Sequence, residues 1–192
     1  MKKFFLSSFA LMAMMVAAIG FVSCGSDDDG DNSDSGSDSK ASKAEIIYQA
    51  EMAPDMTKFL NVEIDYLDNG QKKTAKVTDQ DWSVKTTVNS LPAKFGYKLR
   101  LSRNNVKLDE SGNYILGIYV GKAYVAYNSK GKAISQMAYS SVKNFSAYNG
   151  EKETTKLTDE KLEKKIEFWN KMYAAAFELT AEGNLVEMGS DF

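Results

Sequence analysis

Polar and hydrophobic positions alternate along much of the chain between Val62 and Leu101. Val62, Ile64 and Tyr66 alternate with Glu63 and Asp65, the period-two signature of a strand with one buried face. Asp68-Asn69-Gly70 follows, a turn composition that predicts a hairpin with Lys73–Thr78 as its returning arm. Trp82, Val84, Thr86 and Val88 form a second alternating set, and Phe95, Tyr97, Leu99 and Leu101 a third, beyond Leu91-Pro92. Asp109-Glu110-Ser111-Gly112 and Asn128–Gly131 punctuate the next region. Tyr114–Tyr127, rich in Ile, Val and Tyr, and the more polar Ile134–Tyr148 supply further strands. With Ile46–Met52 opening the fold, the pattern predicts about seven or eight strands. Short alternating strands joined by turns imply antiparallel pairing, in a sandwich or an open barrel.

The period then changes. Leu162, Ile166, Trp169, Tyr173 and Ala176 recur at i, i+4, i+7, i+11 and i+14, one face of a helix. Thr158 suits the N-cap, Asp159 and Glu160 suit the first turn, and Glu182-Gly183-Asn184 suits a C-terminal stop. The expectation is therefore one long amphipathic helix over 158–182, its stripe widened by Phe168, Met172 and Leu179 and packed on the sheet, in a mainly β (α+β) domain.

The N-terminus follows different rules. Lys2 and Lys3 precede an apolar run, Phe4–Val22, which closes at Ser23-Cys24. A basic start, an apolar core and small residues before a cysteine describe a cleaved signal peptide over 1–23. From Gly25 to Lys43 only Gly, Ser, Asp, Asn, Lys and Ala occur. Such a segment buries too little surface to offset its ordering entropy, so 24–43 is expected to be a disordered tether spanning roughly 25 Å. The globular domain is then 44–192. Asp27, Asp29, Asp31 and Asp38 match positions of a calcium loop, but Asn32 stands where glycine is needed and Asp38 replaces the closing glutamate; no metal site is expected there.

Phe21-Val22-Ser23-Cys24 resembles a bacterial lipobox, with Phe21 where the pattern prefers leucine. Cys24-Gly25-Ser26-Asp27-Asp28-Asp29 resembles the mature start of surface lipoproteins of Bacteroides and its relatives. The resemblance covers about the first thirty residues. It implies a lipid on Cys24, hence membrane anchoring, and localisation to the outer membrane with the domain facing the cell exterior.

Charge and composition narrow the function classes. Of 24 basic residues four precede Ala44, and of 26 acidic residues six do, so the domain holds 20 of each and lacks the basic footprint of a nucleic-acid binder. No histidine occurs, and Cys24 is the sole cysteine; imidazole bases, Cys-His or Ser-His-Asp nucleophiles and His-ligated metals are excluded. No cofactor motif is present. Two carboxylates could serve a glycoside hydrolase, with Asp79, Asp81, Asp109 and Glu110 as candidates, but each reads more simply as a turn residue.

What remains is a non-catalytic binding module. Tyrosines crowd 114–148, and Tyr119 and Tyr127, an even number of residues apart, should share a strand face. With Trp82 they are the candidate ligand-binding residues, offering stacking surfaces to a glycan or an envelope protein. Lys94, Lys98 and Arg100 form a basic row on one strand. The alternative is a structural or assembly accessory of the cell envelope, and a hydrolase is third.

Overall fold

The computed structural model describes residues 39–109, 111–138 and 155–190. Cys24, the aspartates of the calcium-like pattern, Glu110, Tyr139 and Tyr148 lie outside them. The described chain is mainly β, with two antiparallel sheets stacked on a shared core.

The first sheet has the order β4-β1-β7-β8, from β1 (Ala41–Met52), β4 (Asp81–Val88), β7 (Ile118–Asn128) and β8 (Ala133–Met137). The second has the order β11-β10-β5-β2-β3, from β2 (Leu60–Asp68), β3 (Gln71–Lys76), β5 (Ala93–Arg103), β10 (Ala174–Leu179) and β11 (Leu185–Gly189). A two-residue pair, β6 (Asn113–Tyr114) with β9 (Thr155–Lys156), and a one-turn helix α1 (Met56–Phe59) complete the β part. The hairpin at Asp68-Asn69-Gly70 forms as its composition predicts, with Asn69 at φ 50° and Gly70 at φ 79°, the left-handed pair that a two-residue hairpin turn needs.

Alternation decides which side chains enter the core. Ile46, Tyr48 and Ala50 of β1 face Ile64, Phe95, Leu99 and Leu179 of the other sheet, all within one buried cluster. Tyr48, Tyr66 and Trp82 form an aromatic run through this layer, with centroid spacings of 5.5 and 5.9 Å. β1 begins at Ala41, before the expected domain boundary. Ala41 is buried and donates its N–H to the Ala181 carbonyl at 2.6 Å, so the sheet draws in three residues whose composition reads as tether.

The long helix is not observed. Helix α2 runs from Asp159 to Met172, with Thr158 as its N-cap accepting from the Lys161 N–H at 3.3 Å. The chain leaves it at Tyr173 (φ −103°, ψ 60°), and Ala174–Leu179, expected to be helical, is strand β10. Glu182-Gly183-Asn184 therefore turns a hairpin into β11 instead of stopping a helix. Leu162, Ile166 and Trp169 are buried as predicted, whereas Phe168 and Met172 are 59% and 45% exposed and do not widen the stripe. Leu179 is buried, but from a strand.

The reason lies on β5. This strand pairs with β10 only as far as Lys98, leaving further backbone groups on that edge to be satisfied. The Tyr173 carbonyl accepts from the Leu99 N–H at 2.8 Å, and the Asn170 amide clamps Leu101, accepting from its N–H at 2.7 Å and donating to its carbonyl at 3.0 Å. One side-chain amide thus replaces a neighbouring strand. Arg103, bonded to Asp159 at 2.5 Å, pins the other end of α2.

On the outer face of the five-stranded sheet the buried carboxylate of Asp65 takes the Thr74 hydroxyl at 2.6 Å, Arg100 at 2.8 Å and Lys72 at 3.1 Å. Burial alone would raise its pKa; the Thr74, Arg100 and Lys72 bonds outweigh this and hold it below the ordinary 3.8.

Two outcomes follow. Replacing Asn170 by alanine orphans both backbone groups of Leu101 and should cost about 2 kcal/mol in urea unfolding, with faster hydrogen exchange at Leu101. A depressed carboxylate contributes stability above its unfolded pKa and loses it as pH falls through the folded value. The wild type should therefore lose stability below about pH 4, and Asp65→Asn should flatten this acid limb. Unchanged acid limbs in the variant would contradict the role given to Asp65.

Candidate functional site

Trp82 belongs to β4 opposite Ala50, on the inward face, and packs against Tyr66 inside the sandwich. Tyr119 and Tyr127 share the outer face of β7, as their spacing predicts, but at roughly 3.3 Å per residue they stand about 26 Å apart. Tyr127 lies under the Lys43 ammonium at 5.2 Å, with its pKa raised by partial burial and by Glu45. These three residues do not converge. Tyr114 and Tyr124 are buried, the first donating to the Asp109 carbonyl and the second to the Gly183 carbonyl. The basic row on β5 is partly neutralised, because Arg100 pairs with both Glu63 and Asp65. Asp109 accepts from its own turn at Ser111 and so acts as a turn residue. Among the described residues no group of three or more acidic side chains gathers at metal-binding distance.

A different set of residues does converge, where β8 ends early. β8 pairs with β7 only from Tyr124 to Tyr127, so among the described residues the first half of β7 has no strand beyond it. Lys122 sits in this half. It pairs across with Tyr48, which places its side chain on the inward face, and its ammonium lies 3.6 Å from the centroid of the Phe177 ring. Phe177 stacks on Phe95 at 5.5 Å and pairs across with Glu187 on β11. The Tyr97 hydroxyl, pushed up to about 12 by burial and then by Tyr119 and Glu187, points toward the same rim. Tyr119 meets Tyr173 edge-on at 6.3 Å, and the Tyr173 hydroxyl donates to the Ile118 carbonyl at 2.8 Å.

The rim therefore offers the aromatic ring of Tyr119, one ammonium, one carboxylate and the Tyr97 hydroxyl, which has no hydrogen-bond partner among the described residues, while Phe177, buried between Phe95 and Lys122, forms its floor. Of these, only Tyr119 is among the residues singled out from the sequence. Lys122 carried a readable signal: it stands in phase with Val120 and Tyr124 on the apolar side of its strand.

The two flanks of the sandwich also differ. On one flank the outermost strands carry charge, Lys72, Lys73 and Lys76 on β3 and Asp81 and Lys85 on β4, which discourages edge-to-edge pairing. On the other, β8 (Ala133–Met137) has no charged residue, and β11 has only Glu187 beside Val186 and Met188, 47% and 45% exposed. Among the described residues, the rim of Lys122 lies on this weakly charged flank.

No protein-family profile, curated protein or solved structure matches the chain.

If the rim is shaped by the β7 cross-strand geometry, Tyr124→Phe should leave it intact and cost about 1 kcal/mol through lost hydroxyl bonds to Gly183 and Ser135, read by thermal unfolding. Gly183→Ala should cost more, since Gly183 has φ 81° and an added Cβ would stand 2.6 Å from the Ser135 Cβ.

Proposed function

We propose that this chain is a non-catalytic binding module, held at the outer surface of the outer membrane by lipid on Cys24, and that its ligand is a glycan engaged at the Lys122–Tyr97–Tyr119 rim. The observation that carries this reading is the grouping of the Tyr119 ring with an ammonium, a carboxylate and a hydroxyl that has no hydrogen-bond partner among the described residues. Sugar rings present apolar faces to aromatics and hydroxyls to such polar groups. Tyr119 keeps the role expected from the sequence, while Trp82 and Tyr127 support the fold and the opposite end of β7.

A second reading, an accessory that holds another envelope protein, draws on the weakly charged edges of β8 and β11. An extended segment added to such an edge would gain main-chain hydrogen bonds.

Thermal unfolding of the protein against neutral and acidic oligosaccharides separates the two. A glycan at about 100 times its dissociation constant adds about 2.7 kcal/mol, a rise of roughly 5–10 °C. Tyr119→Ala should abolish this rise without lowering the ligand-free midpoint by more than a few degrees. A flat response across the panel would overturn the glycan reading and leave the protein-partner reading.

A further inference from the structure

The inward positions of β7 are Ile118, Val120, Lys122, Tyr124 and Ala126. Four of the five are apolar or aromatic core residues, and the fifth is a lysine where Val or Ile would fill the layer. Several lysines elsewhere in the fold are paired on the surface: Lys72 with Asp65, Lys73 with Asp68, Lys85 with Glu45, Lys164 with Glu160. Lys122 has no carboxylate at ion-pair distance and no hydrogen bond among the described residues; its ammonium rests on the ring of Phe177. A charge brought into an apolar layer without a partner is costly, and such local violations concentrate at functional positions.

The groups around it are few. Tyr48 is opposite on β1, Phe177 comes from β10 and Glu187 from β11, and Glu187 also acts on Tyr97 of β5. Burial lowers the Lys122 pKa, and Glu187 alone opposes the shift. The ring of Phe177 favours the ammonium, but desolvation dominates, so the free amine is more accessible here than on an ordinary surface lysine.

We propose that Lys122 is a nucleophilic amine that captures carbonyl compounds, simple aldehydes or the open-chain form of reducing sugars, as imines. The unprotonated Nζ adds to the carbonyl carbon, and the carbonyl oxygen takes up a proton. The carbinolamine then loses one water as the C–N bond becomes double, and no oxidant or reductant is consumed. Glu187 is the nearby group able to pass the proton, and Phe177 gives the imine an apolar wall. The inference stands apart from non-covalent glycan binding, since it needs only an aldehyde and Lys122.

The test uses the full chain, glycolaldehyde as limiting probe and cyanoborohydride to trap the imine, with each lysine quantified by peptide mass spectrometry. At pH 7, Lys122 should be trapped faster than the exposed Lys107 and Lys132, the direction that burial of its ammonium gives. Its rate should level off below the pH range of an ordinary lysine amine. Glu187→Gln, at an exposed position, should move that plateau lower still, because the carboxylate favours the ammonium. A Lys122 rate at or below those of Lys107 and Lys132 in the folded protein, or a pH profile that Glu187→Gln leaves in place, would overturn the proposal.

Discussion

The edge of β5 is the constraint on which the rest of the structure depends. This strand lies at the centre of the five-stranded sheet, paired with β2 from Tyr97 to Arg103 and with β10 from Ala93 to Lys98. Buried backbone groups must find partners, and beyond Lys98 they find them in the Tyr173 carbonyl and the Asn170 amide. That arrangement ends α2 at Met172 and commits Ala174–Leu179 to extended structure. It also brings Phe177 under Lys122 and Tyr173 against Tyr119. The rim is thus assembled from a strand that exists because β5 needs a neighbour.

Local pattern was a good guide where it had one meaning. β2, β4 and β5 stand where alternation puts them, because each buries one face on the same core, and the exposed β3 follows from the Asp68-Asn69-Gly70 turn. Ala174–Leu179 had two meanings. Tyr173 and Ala176 continue the helical stripe of Trp169, yet Ala175, Phe177 and Leu179 also alternate, and three alanines favour the helix. Tertiary pairing with β5 overrode that propensity. Gly183 marked a chain reversal correctly, but a left-handed glycine serves a helix stop and a hairpin turn equally well. For the site, alternation placed Tyr119 and Tyr127 on one face and had no means of showing that Trp82 points inward. Which face of a strand meets the other sheet depends on the partner. Lys122 was legible as a charge in phase with core residues, a conflict whose meaning appears only once Phe177 is opposite.

The sandwich has two unlike flanks. Lysines on β3 and Asp81 and Lys85 of β4 guard one, and among the described residues the other presents uncharged β8, the short β11 and the rim between them. Edge charges cost little stability and discourage association, and among the described residues they are sparse on the β8/β11 flank. The Asp65 cluster and the aromatic run Tyr48–Tyr66–Trp82 lie toward the guarded flank, while the lysine on Phe177 lies toward the other.

The central claim, that the β8/β11 flank is the working side, is tested most directly by site-specific photo-crosslinking on intact cells. A photoreactive side chain would replace Val186, Tyr119 or, on the opposite flank, Lys73. The account predicts a discrete adduct from Val186 or Tyr119 and none from Lys73. An adduct confined to Lys73, with both other positions silent, would contradict it.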